Sequence, residues 1–405
     1  MTSTLGIKKI QYPNGTNSIT IDSSGSADIT TANITTAAIT TANVTNATAT
    51  GTITTPSING SQIGGRRNIV INGGMQIWQR GTSFSVADNI YTCDRWLTEF
   101  GNLGAFTLSR STDTPDEFGY SLKLDCTTAD TSPGGGDIFQ LFHRIEGQNL
   151  QQLKKGTASA EKVTLSFFVK SNKTGNMQVN LRDANSRIIG ATYAISSANT
   201  WERKTITFDG DTSGSIANDK TAELTIEFPV GSGSNYTSGA VPTAWEATSN
   251  ADRNAGSNIN IADNTANEWY LTGVQLEVGS QATPFEHRSV GEELALCQRY
   301  FCLYADNNEL IGGGGYQSST FPDVAVSFPV TMREAPSLVH TSGSNYYGIT
   351  THNAVPVYFN EFTVAYNSSP RHKLLYPNQS VSGTQGSYGR FFCHSSGKIS
   401  FNAEL

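Results

Sequence analysis

The sequence predicts an all-β chain: a jelly-roll β-sandwich over residues 66–288, a short linking helix at 289–304 and a small C-terminal β domain at 305–405, after a fibrous segment at 1–65. Three observations carry that expectation. Short runs of alternating apolar and polar side chains recur along the chain, turn-forming clusters separate them, and a convincing helix start occurs once. Composition agrees, since only 15% of residues are charged while glycine numbers 39. Small polar residues and glycine suit turns and hydrated strands better than long surface helices.

The fibrous segment comes first. From Ala27 the chain reads Ala-Asp-Ile-Thr-Thr, Ala-Asn-Ile-Thr-Thr, Ala-Ala-Ile-Thr-Thr and Ala-Asn-Val-Thr-Asn, which spaces Ile29, Ile34, Ile39 and Val44 five apart. Ile53, Ile58 and Ile63 continue the spacing after a one-residue slip. Five residues advance a helix face by about 140°, so no apolar stripe accumulates. On a strand, the odd period sends successive isoleucines to opposite faces. A short extended piece and a bend per repeat would work, but so few copies bury too little surface to offset their ordering entropy. Several chains wound about a common axis would supply the missing core, with Ile29, Ile34, Ile39 and Val44 inside it. A flexible Thr/Asn-rich linker is the other reading the composition allows.

The sandwich is expected from alternating segments at Asn68–Asn72, Met75–Gln79, Arg95–Phe100, Ala105–Arg110, Ser121–Cys126 and Ile138–Ile145. Further segments lie at Lys162–Lys170, Met177–Arg182, Trp201–Phe208, Ala222–Val230 and Trp269–Val278. Val163, Leu165, Phe167 and Val169 share one face of their segment, so that face is buried. Pro133-Gly134-Gly135-Gly136, Asn172-Lys173-Thr174-Gly175 and Asp209-Gly210-Asp211 punctuate the runs. Gly147–Leu153 reads as a single helical turn and Gly231–Asn264 as a set of loops. Many short strands with almost no helix indicate two packed sheets of jelly-roll type.

Ser289-Val290-Gly291-Glu292 is a capping box, a hydroxyl followed three residues on by a carboxylate. Leu294, Cys297 and Phe301 line one side of the helix it opens, extended by Leu296, Tyr300 and Leu303. Such a helix would pack against its copies in a trimer or against its own sandwich. In the last hundred residues Val324, Val326 and Phe328 alternate, as do Val355, Val357 and Phe359, then Phe362, Val364 and Tyr366. Gly312–Gly315 reads as a flexible bend, because no Gly-Lys-Ser/Thr follows to make it a phosphate loop. This aromatic-rich region is the expected distal tip.

Charge and motifs exclude more than they specify. The 27 basic and 34 acidic residues, net −7, argue against nucleic acid as a partner. Met1–Ile10 has no apolar core of secretion-signal length, and no run approaches the roughly 18 apolar residues of a membrane span. The expected product is made as a soluble cytosolic protein, is not inserted in a membrane, and if it ends up outside a cell gets there by assembly or lysis. Five scattered cysteines form neither a disulfide framework nor a zinc site and are expected as buried free thiols. Histidines without paired spacing and the absence of a nucleophile elbow give no catalytic constellation, so no enzyme is expected. A carboxylate pair built from distant residues would escape such a reading. No cofactor is expected, except that Asp183, Asp209 and Asp211 are either turn formers or ligands of a structural calcium.

Several stretches resemble a family of tail-fibre and virion structural proteins from phages of marine bacteria. Asn68–Thr82, with Asn72-Gly73-Gly74-Met75-Gln76-Ile77-Trp78-Gln79-Arg80-Gly81, is similar to the opening of that family's sandwich module. Asp94-Arg95-Trp96 and Leu165–Ser171 resemble its next landmarks. The most specific match is Trp269–Gly279 continuing through Ala282-Thr283-Pro284-Phe285-Glu286-His287-Arg288, and Phe328–Pro336 resembles the start of a C-terminal fibre domain. The resemblance implies a homotrimer, attachment to the tail or head of the particle through the N-terminus, and sandwiches like those of carbohydrate-binding modules. The short N-terminal segment departs from the longer anchors of many tail fibres. A host surface polysaccharide is then the expected ligand. Sugar binding needs an exposed aromatic face and hydrogen-bonding partners for hydroxyls. Tyr346 and Tyr347, beside Asn345 and Gly348, Tyr388 after Gly386-Ser387, and Trp245 in the long polar loop are the candidates. A purely structural fibre and a polysaccharide depolymerase are the rival expectations.

Overall fold

A computed structural model of the chain describes residues 57–58, 61–62, 66–351 and 355–405. The repeats carrying Ile29, Ile34, Ile39 and Val44 lie outside the described residues. Alternation shapes nearly everything that follows. The strands begin with the small antiparallel pair β1 (Ser57–Ile58) and β2 (Ser61–Gln62), then β3 (Ser83–Ser85), β4 (Trp96–Gly101), β5 (Ala105–Ser111) and β6 (Ser121–Thr128). They continue with β7 (Ile138–Glu146), β8 (Val163–Ser171), β9 (Gly175–Asp183), β10 (Arg187–Ile195) and β11 (Glu202–Phe208). The sandwich is completed by β12 (Ala222–Ser232), β13 (Glu246–Ala247) and β14 (Glu268–Val278).

Two antiparallel six-stranded sheets form, in the orders β13-β10-β9-β12-β7-β4 and β11-β8-β14-β6-β5-β3. The chain changes sheet at β6–β7, β7–β8, β8–β9 and β10–β11 among others, which is the winding of a jelly roll. Inward residues of both sheets make one core. Leu165, Phe167 and Val169 from one sheet meet Leu181, Ile226 and Phe228 from the other, together with the fully buried Trp96 and Trp269. Aromatic rings interlock there, with Phe167 edge-on to Phe228 at 5.1 Å and to Tyr193 at 5.0 Å.

Two expected strands are corrected. Asn68–Asn72 and Met75–Gln79 are buried but belong to no strand. Their backbone is satisfied by asparagine side chains: Asn68 Oδ1 accepts from Val70 N and Leu276 N, and Asn72 Oδ1 accepts from Gln76 N and Ile77 N. Side-chain amides here do the work of a β-ladder, so an apolar pattern arises without a sheet. Conversely β10, to which no segment was assigned, is a nine-residue strand next to the sheet edge, with Ile189, Tyr193 and Ile195 buried. Gly147–Leu153 forms two short 3₁₀ turns, and the long polar segment holds only the one-turn helix α1 (Ser234–Thr237), two further 3₁₀ turns and β13.

Only the hydroxyl half of the capping box forms, and the helix is shorter than expected, since Phe301 and Leu303 belong to the strand that follows it. Helix α2 (Val290–Gln298) starts at Ser289, whose Oγ accepts from Glu292 N at 3.2 Å. Its Cys297 packs with Ile71, Ile77 and Tyr300, so the helix docks on its own sandwich. All five cysteines are buried free thiols.

The terminal region comprises β15 (Phe301–Asp306), β16 (Leu310–Ser318), β17 (Phe321–Ser327), β18 (Ser337–His340) and β19 (Tyr347–Thr351). It ends with β20 (Val357–Phe359), β21 (Phe362–Ser368), β22 (His372–Pro377), β23 (Tyr388–Cys393) and β24 (Lys398–Asn402). They form a three-stranded sheet, β15-β24-β18, and a seven-stranded sheet, β20-β19-β23-β16-β17-β22-β21. Between them lies a second core of Ile311, Val324, Val326, Ile349, Phe391 and Phe401. Gly312–Gly315 is not a bend but part of β16, paired with β17 on one side and β23 on the other.

Polar contacts sew this region to the sandwich. Buried Arg95 pairs with Glu404 and lays its guanidinium 3.5 Å from the Tyr300 ring centroid. Arg80 reaches Glu404 at 3.1 Å, and Tyr91 Oη and Arg144 Nη1 each donate to Leu405 O at 2.7 Å. Arg299 closes the seam with Glu146 at 2.8 Å.

Candidate carbohydrate-binding face

Alternation on β23 turns Phe391 and Cys393 into the terminal core and sends Tyr388, Arg390 and Phe392 to the other side of the sheet. On the neighbouring strands three of the positions facing these residues are glycines. Gly315 pairs with Tyr388, Gly313 with Arg390, and Gly348 with Phe392. The missing side chains let the rings lie down. A Cβ on Gly313 would sit 1.4 Å from the Tyr388 hydroxyl oxygen, and one on Gly348 would sit 2.5 Å from Phe392 Cζ. Cross-strand packing of a ring over glycine is a recurrent way to fix an aromatic on an open sheet face.

Two more aromatic stations share this face. Phe321 on β17 and Tyr376 on β22 lie with ring centroids 4.8 Å apart. Tyr358 on β20 lies 6.2 Å from Phe392 and 4.5 Å from His394. Tyr388 is 67% exposed, Phe321 40% and Tyr358 39%; they are all of the exposed large aromatics among the described residues, and they share one sheet face. Polar groups stand between them: Arg390, Thr350 across from it, and Gln317, whose Nε2 donates to Asp323 Oδ2 at 3.1 Å. A flat aromatic surface with interspersed donors and acceptors can stack on the apolar face of a sugar ring and hydrogen-bond its hydroxyls.

The candidates from sequence are divided by the fold. Tyr388 is the centre of this face. Tyr347 is corrected: it points inward, fully buried, with its hydroxyl within 3.1 Å of Thr341 O and 2.5 Å of Lys398 O, and burial raises its pKa. Tyr346 is half-buried against the same core. Trp245 lies at one end of the sandwich, donating to Asp209 O at 2.7 Å, beside a cleft of about 30 Å³ lined by Leu153, Val163 and Leu181. That has room for about two waters and is too small for a sugar. Tyr358, Phe392, Phe321, Tyr376 and Arg390 were missed. The one signal for them was the spacing by two, in Tyr388-Gly389-Arg390-Phe391-Phe392 and again in Gly313-Gly314-Gly315.

Three other surfaces among the described residues are covered or self-paired. The outer face of the sandwich sheet containing β7, β9 and β12 is covered by the long loop, whose buried Arg253 pairs with Glu99 at 2.7 Å and Glu227 at 3.3 Å. On the other sheet, Trp201 donates to Asp113 and Lys170 pairs with the same carboxylate. A recess of about 310 Å³ beside the three-stranded sheet has Phe301 as its floor, but Arg80 covers that ring at 3.7 Å. The carboxylates proposed for calcium face side-chain cations: Lys155 Nζ lies 2.7 Å from Asp183 and 3.2 Å from Asp211, Arg187 Nε 2.9 Å from Asp211, and Lys162 Nζ 2.7 Å from Asp209. Burial pushes the Asp211 carboxyl up, but hydrogen bonds from Arg187, Ser213 and Lys155 outweigh it and hold it below the usual range.

No protein-family model and no curated protein matches the chain. Among solved structures, the enzymatically active domain of tailspike protein 4 of bacteriophage CBA120 aligns at 12% identity and TM-score 0.27, covering 52% of this chain and 21% of that one. A family 4 carbohydrate-binding module aligns at 12% identity and TM-score 0.28, covering 52% and 99%. A family 11 carbohydrate-binding module from Clostridium thermocellum, in complex with a β-1,3-1,4-mixed-linked tetrasaccharide, aligns at 12% identity and TM-score 0.25, covering 51% and 98%. Likenesses this distant decide nothing about function, and the jelly-roll assignment rests on the strand order itself.

Proposed function

We propose that the chain is a fibre protein of a bacteriophage particle that binds host surface polysaccharide through the outer face of its seven-stranded sheet, without cleaving it. The observation that carries the binding reading is the gathering of Tyr388, Tyr358 and Phe321 on one face, over outward glycines. Scattered aromatics would have favoured a purely structural fibre. The virion assignment rests on the stretches Asn68–Thr82 and Trp269–Arg288, and attachment through the N-terminal repeats and assembly as a homotrimer follow from the same reading. Several copies of one flat, weak site give avidity without a deep pocket. Its partners are the glycan, its sister chains and other virion proteins; among the described residues no helix is long and apolar enough to cross a membrane.

The test is binding of the purified full chain to host cells and their extracted surface glycans, with Tyr388→Ala and Tyr358→Ala beside it. Losing one stacked ring should weaken binding about fivefold, taking ring stacking as worth roughly 1 kcal/mol. Circular dichroism should stay unchanged, since both rings are exposed. Variants that bind like the parent would remove this face from consideration and leave a structural fibre. Oligosaccharide released in the same tubes would make the protein a depolymerase.

A further inference from the structure

Tyr388 and Phe392 sit four residues apart on β23, and Arg390 lies between them on the same face. A polymer chain stacked on both rings must therefore cross the Arg390 position, whose backbone is roughly 7 Å from that of either along the strand. Arg390 is exposed, and no carboxylate stands opposite it. Its cross-strand neighbours are Gly313 and Thr350, and its guanidinium makes no hydrogen bond or ion pair with any described residue. Several cations elsewhere on the sheet faces are paired with carboxylates, although Arg110 and Arg203 instead meet the Tyr120 ring and Thr283 O. Lys123 bridges Asp125 at 2.7 Å and Glu268 at 2.8 Å, Arg182 pairs with Glu227 at 2.5 Å, and Arg253 is held by two carboxylates. The nearest acid in the face's pattern, Asp323, is opposite Gly315, one outward row away, and already accepts from Gln317.

Covering a lone charge costs free energy unless the covering molecule compensates it. A neutral glycan would strip water from Arg390 and return only hydroxyl contacts. A sugar bearing a carboxylate or sulfate would return a charge-assisted, two-pronged pair in the fork geometry of the guanidinium. We propose that the ligand of this face is an acidic glycan whose anionic substituent pairs with Arg390. This rests on the carbohydrate-binding reading above and names the class of sugar. The shared chemistry is a planar or tetrahedral oxyanion on a pyranose ring, and carboxylate and sulfate are its two sources.

The full chain would be tested by affinity electrophoresis against polygalacturonate, dextran sulfate and dextran of matched length. Arg390→Gln, Arg390→Lys and Tyr388→Ala would run in parallel. At least one acidic polymer should retard the protein about tenfold more strongly than dextran, and which one does so distinguishes carboxylate from sulfate. Arg390→Gln should abolish that preference, Arg390→Lys should keep part of it, and raised salt should weaken it. Equal retardation by dextran with Arg390→Gln unchanged, while Tyr388→Ala loses binding, would overturn the acidic ligand and leave the glycan reading standing. Binding that survives both Arg390→Gln and Tyr388→Ala, or no retardation by any polymer, would overturn both.

Discussion

Tyr347 and Tyr388 show how much one residue's meaning depends on its parity along a strand. Both sit at the start of a strand with a glycine after them, yet one is core and the other is the most exposed large aromatic described. Sequence showed that adjacent Tyr346 and Tyr347 could not both face inward, but it could not say which did. Buried ionisable residues were equally unreadable, and two of them set opposing acid responses. Burial, then the nearby charge of Arg95, lowers the His143 pKa to about 3. The unfolded chain binds a proton near the ordinary value while the native imidazole stays neutral, so stability is lost as pH falls below about 6.5. Burial raises the Asp94 pKa to about 6, against the lowering effect of Arg80. The native state then takes up its proton first, which adds stability as pH falls from about 6 to about 4. Urea unfolding of His143→Gln at pH 7 and 4.5 should show a shallower acid loss than the parent, by about 2–3 kcal/mol over that interval. Asp94→Asn should show a steeper one. Identical pH slopes in all three proteins would contradict both assignments.

Elements with a strong local rule were legible and those built by long-range partners were not. The alternation of Val163–Ser171 and the capping box at Ser289 gave β8 and α2 directly, because each depends on neighbours in the chain. Ser289→Ala should cost about 1 kcal/mol of stability, read by thermal or urea unfolding, through loss of the bond to Glu292 N. The Asn68–Gln79 segment misled because its hydrogen-bond partners include Val274, Leu276 and Glu293, some two hundred residues away. β16 misled for the opposite reason: four glycines in a row suit a bend unless neighbouring strands bring rings to fill their places. Gly313→Ala tests that account. Its Cβ would collide with the Tyr388 hydroxyl, the free end of an exposed ring, so the ring should swing away while the sheet survives. We expect unchanged thermal stability within about 1 kcal/mol and glycan binding reduced as far as in Tyr388→Ala. A variant that binds normally would show that the ring's position over Gly313 does not matter.

At the scale of the molecule, the sandwich and the terminal region have separate cores but a shared polar seam, and the seam depends on the last residues of the sequence. Glu404 answers both Arg80 and Arg95, and Leu405 answers Tyr91 and Arg144. Glu404→Gln leaves the buried Arg95 guanidinium without its counter-charge, at a cost of about 3–5 kcal/mol. Calorimetry should then resolve two transitions where the parent shows a coupled one, with the terminal region melting first. None of this was visible beforehand, since Asp94-Arg95-Trp96 and the final Ala403-Glu404-Leu405 lie far apart and share no pattern. The seam also sets a schedule. The ribosome finishes β14, the last strand of the sandwich, well before it reaches Glu404, and at about 5–20 residues per second that interval is roughly 6–25 s. Until then Arg80, Arg95 and Arg144 lack the partners that Glu404 and Leu405 supply in the finished chain, so the seam closes last.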